Sequence, residues 1–289
     1  FRNSVLSSID VPSKQLSLDL SGCHNVSVVS SLGDVHTLNL SFCDKVSDVS
    51  ALGGVHTLDL SWCLNVRDVR ALGGVHSLLL CYCDNVSDVS ALGGVHTLYL
   101  GATNVTDVSA LGGVHSLDLS GCRNVSDVSA LGGVHTLDLS DTNVIDVNAL
   151  GDVHTLNLSK CLNVRDVSAL GGVHTLDLSD CRNVSDVNAL GGVHILDLSK
   201  CYNVRDVSAL GGVHTLNLIY CGYVIDVSAL GGVHTLDLRY LLKFKVCALG
   251  GVHTLNLSKC RNVRDVSALG GVHTLYLGAT NVTVTQIQS

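Results

Sequence analysis

From Thr136 to Leu139 polar and apolar residues alternate behind an apolar Val134, and the same short phrase returns along almost the whole chain. Period-two alternation over so few residues predicts a short β-strand, with Leu137 and Leu139 facing inward and Thr136 and Asp138 outward. Between one phrase and the next, apolar positions such as Val125, Val128 and Leu131 stand too close together for a long helix. They are also too irregular for a second continuous strand, and predict a tight return.

The tract VHTL or VHSL sets the period. Its histidine stands at 36, 56, 76, 96, 115, 135, 154, 174, 214, 234, 253 and 273, VHIL supplies His194, and the step is 20 residues or occasionally 19. An imperfect opening unit around Leu16, Leu18 and Leu20 has Leu16 in place of the histidine, which brings the array to about fourteen rungs. A fixed period overrides any domain count based on length. The expectation is an α/β-type repeat solenoid over residues 16–289, with equivalent strands stacked into one parallel sheet. Residues 1–15 then form a flank or partial N-terminal cap, with Val5, Leu6, Ile9 and Val11 available to cover the first rung, and VTVTQIQS leaves a minimal C-terminal cap. Poorly capped ends predict end-to-end or edge association, or the loss of flanking sequence.

Within a rung, paired glycines such as Gly132 and Gly133 predict a sharp reversal at positive φ. The aspartate of the NVSDV tract (Asp48, Asp68, Asp88, Asp107, Asp127) precedes a short turn, where a carboxylate accepts backbone N–H bonds. An asparagine before valine, as at Asn65, Asn85, Asn104 and Asn183, is placed to cap a turn through its amide.

The consensus V-x-x-L-x-L-x-x-C-x-x-V-x-D resembles the cysteine-containing subclass of leucine-rich repeats, with Val at some Leu positions. The D-V-S-A-L half resembles the short repeats of bacterial internalins, and the uniform array is similar to repeat proteins of large amoebal DNA viruses. The resemblance spans nearly the whole chain. It implies a right-handed arc with its parallel sheet on the concave face, where members of the family mostly bind proteins. A unit of 20 residues leaves little room for the convex side, so short turns and little helix are expected there.

Ten of the twelve cysteines share one repeat position: 23, 43, 63, 83, 122, 161, 181, 201, 221 and 260. The position faces the core, which predicts buried free thiols acting as small apolar side chains. Thr103, Thr142 and Thr280 take the same place, so neither a disulfide nor a metal is required there. No C-x₂-C pair exists, and Cys81-Tyr82-Cys83 is short of ligands. Free thiols suit the cytoplasm or another reducing compartment, with a virion as the alternative location.

The repeated histidines form a second column. No carboxylate recurs beside them as an orienter, so the expectation is neutral rings hydrogen-bonded between rungs and no metal. A Cys/His pair occurs in every unit, but a nucleophile needs a positioned base and an oxyanion site in one pocket. Neither an enzyme nor a cofactor is expected.

With no Met, one Pro and 29 Gly, the composition itself points to duplication of a single unit. The formal charge of −8 and the thin spread of 17 Lys and Arg leave no basic stripe, so nucleic acid is not an expected partner. No apolar run approaches the roughly 20 residues that span a bilayer, and FRNSVLSSIDVPSKQ lacks a signal-peptide apolar region. Membrane association is not expected either.

Identical rungs present identical columns, so an asymmetric site must lie where rungs differ. The outward strand column is mostly Asp or Asn, including Asp59, Asp118, Asp138, Asp177 and Asp197, and is interrupted by Leu79, Tyr99 and Tyr276. The residue before the ladder cysteine is Phe42, Trp62 and Tyr82 on three successive rungs, with Tyr220 and Tyr240 as a smaller echo. Phe42, Trp62, Tyr82, Leu79 and Tyr99 together predict an exposed aromatic patch of the kind enriched in interface hot spots. These five and the five aspartates are the candidate binding residues. The stretch RYLLKFKVCALGG, residues 239–251, departs furthest from consensus, with Lys243, Lys245 and Cys247 at repeat positions, and reads as decay. The functional expectation is a noncatalytic protein-interaction or assembly scaffold whose partner is another protein or a second copy. The alternatives are the substrate-recognition arm of an F-box-type ubiquitin ligase adaptor and a polymer or glycan binder on the Asp/Asn columns.

Overall fold

A computed structural model describes residues 16–283, so the expected N-terminal flank at 1–15 and most of the C-terminal VTVTQIQS lie outside the described residues. The chain forms two compact units, Phe1–Asp138 and Leu139–Ser289. The same rung is used in both.

In the first unit the strands are β1 Ser17–Asp19, β2 Thr37–Asn39, β3 Thr57–Asp59, β4 Ser77–Leu79, β5 Thr97–Tyr99, β6 Ser116–Asp118 and β7 Thr136–Asp138. Each pairs in parallel with the next, and equivalent leucines face one another, as in Leu38 with Leu58 and Leu58 with Leu78. The second unit repeats this with β8 Thr155–Asn157, β9 Thr175–Asp177, β10 Ile195–Asp197, β11 Thr215–Asn217, β12 Thr235–Asp237, β13 Thr254–Asn256 and β14 Thr274–Tyr276. Hydrogen bonds between rungs continue past the strands: Trp62 N–H donates to the Cys81 carbonyl, and His76 and Ser77 N–H both donate to the His56 carbonyl.

The core of one rung is Val55, Leu58, Leu60, Cys63, Val66, Val69 and Leu72, each at most 1% exposed. Full burial of a Val or Leu side chain contributes about 1.5–3 kcal/mol, so this set supplies most of a rung's cohesion. The return is a single 3-10 turn, as at Ser50–Leu52 and Ser129–Gly133. Its entrance is held as the sequence predicts, since Oδ1 of Asp48, Asp88 and Asp107 accepts the N–H two residues on, at 2.9–3.1 Å.

The glycine pairs work differently from the expectation. Among described glycines only Gly22 and Gly121 have positive φ, and neither belongs to a pair. A Cβ on Gly73 would instead sit 2.3 Å from the Ala91 carbonyl oxygen of the next rung, and one on Gly211 would sit 2.4 Å from that of Ala229. The pairs are there because adjacent rungs touch backbone to backbone. Residues 239–251 keep the strand that follows but show no 3-10 turn.

Candidate functional site

Phe42, Trp62 and Tyr82 occupy the one position in each rung where the backbone turns left-handed, with φ of 60°, 63° and 59°. Other rungs place Ala102, Asp141, Lys160, Asp180 or Lys200 there, and two place Gly22 and Gly121. An L-residue in this conformation costs roughly 1–2 kcal/mol relative to its usual one. The turn throws each side chain outward beside its equivalent. Phe42 and Trp62 stack with ring centroids 5.7 Å apart at 10°, and Trp62 and Tyr82 at 4.2 Å and 14°. The rings remain 51%, 39% and 44% exposed. A smaller pair repeats this at Tyr220 and Tyr240, 4.2 Å apart.

Leu79 and Tyr99 are register partners on β4 and β5, at the outward third position of each strand. Leu79 is half-buried and Tyr99 is 36% exposed. The predicted patch is therefore two groups within the first unit: a three-ring stack in the turns and a cross-strand apolar pair in the sheet.

The aspartates have a prior commitment. Asp59, Asp118, Asp177 and Asp197 are half-buried, and Oδ1 of each accepts the N–H two residues on, from Ser61, Ser120, Ser179 and Ser199, at 2.7–2.8 Å. Oδ2 of Asp197 also accepts from Nδ2 of Asn217 at 2.7 Å. Asp138 holds the same place on β7. One oxygen per carboxylate thus closes the turn that leads to the left-handed residue.

The cysteine column is a ladder of free thiols, buried as expected from Cys43 onward and exposed only at Cys23 on the first described rung. Sγ of Cys63 and Cys83 donates to the Leu40 and Leu60 carbonyls of the preceding rung at 3.1 Å, and Cys201 and Cys221 do the same to Leu178 and Leu198 at 3.0 Å. Burial pushes the Cys63, Cys83 and Cys221 thiols up to about 12. They stay protonated as donors and are poor nucleophiles. Thr103 fills the same place, its hydroxyl donating to the Leu100 carbonyl at 2.7 Å beside Cys122 Sγ. Cys23 and Cys247 are exposed.

The histidine column departs from its expectation. Between rungs most neighbouring imidazoles stack, as His154 with His174 at 4.7 Å, His214 with His234 at 4.5 Å and His234 with His253 at 4.5 Å, all within 10° of parallel, while His36 meets His56 edge-on. A hydrogen bond within the rung joins Nδ1 and the next residue's threonine Oγ1 at 3.2–3.3 Å, as at His56, His96, His174, His214, His234 and His253. The asparagines do the reverse. Nδ2 of Asn85 and Asn104 donates back to the Leu64 and Asp84 carbonyls of the preceding rung, so the amide caps its neighbour's turn and ties rungs together.

One exposed feature was missed. Where the irregular stretch meets its neighbours in the second unit, a groove of about 850 Å³ opens between Arg205, Tyr223, Ile225, Asp226, Leu242 and Lys243. Ile225 and Leu242 are 65% and 67% exposed, and the Arg205 guanidinium lies 5.1 Å from the Tyr223 ring centre. The signal was present as Tyr and Ile at positions that are polar in most other rungs, Ile145 being another exception at the second. Among the described residues no three His, Cys, Asp or Glu side chains converge as a metal site, and no helix is long and apolar enough to cross a membrane.

A parallel sheet of one short strand per rung, returned by a single turn over a Leu/Val/Cys core, defines a leucine-rich-repeat solenoid. No family model matches the chain, and no curated protein does. Solved structures do match. An internalin, InlF from Listeria monocytogenes, aligns over 96% of this chain and 84% of its own, with TM-score 0.61 and 18% identity. The functional domain of InlJ from the same organism, described as including a cysteine ladder, aligns over 89% of this chain and 63% of its own, with TM-score 0.62 and 20% identity. The leucine-rich-repeat protein LIC12759 of Leptospira interrogans aligns over 100% and 96%, with TM-score 0.54 and 13% identity. At these identities the likeness is one of fold.

Proposed function

We propose that this chain is a noncatalytic protein-interaction or assembly scaffold whose contact surface centres on the Phe42–Trp62–Tyr82 stack, with Leu79 and Tyr99 as its second element. The observation that carries the reading is the placement of three large rings on successive rungs, stacked and still 39–51% exposed, at left-handed positions where the remaining rungs carry Gly, Ala, Lys or Asp, apart from the Tyr220–Tyr240 pair. Large rings that are held rigid before contact lose little conformational entropy on binding, which is why aromatic anchors dominate interface energetics. The leucine-rich-repeat fold supports the scaffold role. The buried, protonated thiols and the aspartates committed to turns support a surface without catalytic chemistry.

The test is light-scattering mass across a concentration series, wild type against Trp62→Ala/Tyr99→Ala. Association in the wild type that the double variant loses is expected. The Trp62 emission should shift to the blue over the same concentrations, as its exposed face is covered. Equal association in both chains would move assembly away from this patch. Monomers in both would eliminate self-assembly and leave a foreign protein as the occupant.

A further inference from the structure

The left-handed column carries a second aromatic surface, and its charge is opposite to that of the first. Around the Phe42–Trp62–Tyr82 stack the residues two places on are Asp44, Leu64 and Asp84, all exposed. Lys45, next to Asp44 in sequence, donates to Asn25 Oδ1 at 3.3 Å. In the second unit four consecutive rungs place Lys200, Tyr220, Tyr240 and Lys259 at the left-handed position, with φ of 61°, 62°, 67° and 70°. The two tyrosines stack with ring centres 4.2 Å apart, and the exposed lysines bracket them. Among the described residues neither lysine enters an ion pair, and the exposed residue two places on from Lys259 is Arg261. The sequence has the same bias at larger scale: eleven of the 17 Lys and Arg fall in the second unit, whereas the 25 aspartates divide almost evenly.

We propose that these are the two halves of one contact between copies of this chain, the acid-bracketed stack of one copy docking on the lysine-bracketed tyrosine pair of another. The inference rests on the scaffold reading and names its partner as a second copy. Both surfaces are built on the same position of the same rung, so their rings repeat at a similar pitch, 4.2–5.7 Å between centres. Rigid aromatic anchors at the centre supply affinity, and the flanking charges select the partner and its register. Charge also decides against the symmetric alternatives. Stack against stack sets Asp44 and Asp84 before the same two aspartates of the other copy, and pair against pair does so with Lys200 and Lys259. Only the mixed pairing brings opposite signs together. Such a contact is heterologous: each added copy leaves one surface of either kind open, so association continues past the dimer or closes as a ring.

The experiment uses two full-length variants, each lacking one half. Trp62→Ala/Tyr82→Ala removes the stack, and Lys200→Asp/Lys259→Asp reverses the bracket of the pair. Both introduce residues that the same left-handed position already carries at Ala102 and Asp180. Sedimentation velocity should show the parent chain growing past two copies with concentration and each variant alone associating at least about tenfold more weakly. Mixed in equal amounts, the two variants should form a heterodimer that grows no further, because one intact surface of each kind remains. Raising NaCl from about 50 to about 500 mM should weaken the parent's association, as screening shortens the reach of the charges. Parent-like association of the lysine variant, with the stack variant monomeric, would overturn this inference and leave the stack as a contact surface. Parent-like association of the stack variant would remove both readings. A mixture that stays monomeric, or a parent chain that is monomeric throughout, would overturn the second-copy inference and leave the stack to a foreign protein.

Discussion

At the scale of single residues, two backbone facts in each rung decide what substitution is tolerated. The paired glycines mark places where rungs touch. Gly211→Ala would put a Cβ 2.4 Å from the Ala229 carbonyl oxygen, whereas Gly222 has nothing within 4 Å. Overpacking of this kind typically costs about 1–3 kcal/mol, so Gly211→Ala should lower the urea midpoint clearly while Gly222→Ala leaves it nearly unchanged. The left-handed position has the opposite sense. Lys200 sits there at φ 61°, and Lys200→Gly should raise stability by up to about 1 kcal/mol, the relief of strain less the extra entropy of glycine. Trp62→Gly gains the same relief but loses two ring contacts worth about 0.5–1.5 kcal/mol each, so its midpoint should fall. A higher midpoint for Trp62→Gly would mean that the stack does not hold its own rungs together. Neither backbone fact was legible in the sequence. Glycine signals positive φ only on average, and here the left-handed residue is Gly in two rungs, Gly22 and Gly121, and Phe, Trp, Tyr, Lys, Asp or Ala elsewhere, while the paired glycines serve close approach.

At the scale of the rung, the strand, the tight return and the inward column were all legible, because period-two alternation and a fixed step leave little choice of register. Leu58 opposite Leu78 follows directly from the repeat. Partners across rungs were harder to read, since a single unit does not say whether a polar group bonds within its own turn or to its neighbour. Asn85 reaches back to Leu64 while His96 bonds to Thr97 beside it. The cysteine ladder was legible because Thr103 and Thr142 take the same place and keep the fold, so the position itself does not depend on sulfur chemistry. A labelling prediction follows from its geometry. In native protein at mildly alkaline pH, iodoacetamide should modify the exposed Cys23 and Cys247 first and the half-buried Cys81 more slowly. Ladder thiols such as Cys63 and Cys83, pushed up to about 12 by burial, should react only after denaturation. Peptide mass mapping of the native-state product checks this, and early modification at Cys63 or Cys83 would contradict a closed core.

At the scale of the whole molecule, a small effect in one rung is multiplied by the array, and pH is where the sum becomes visible. The rings of His56, His96, His174, His214 and His253 are held below the ordinary histidine value, first by partial desolvation and then by the neighbouring imidazoles above and below. Their folded-state values lie below the unfolded value of about 6.5, so on acidification the unfolded chain takes up protons first. Stability from this column is therefore complete above about pH 6.5 and is lost as pH falls through the depressed folded-state values. The turn aspartates form a second, lower set. The Ser50, Ser90 and Ser109 side chains and N–H groups hold Asp48, Asp88 and Asp107 below the ordinary carboxylate value, and the Arg70 guanidinium and N–H bring Asp68 to about 2. Their contribution is present above about pH 4 and disappears as pH falls through their own lowered values. The urea midpoint should thus be level from pH 8 to about 7, decline as pH falls below about 6.5, and decline again below about 4. Replacing alternate histidines with Gln should flatten the upper decline, because no imidazole then stacks on another, and should leave the lower one in place. A midpoint that stays level down to pH 5 in the parent chain would show that the stacked rings gain their protons without cost to the fold.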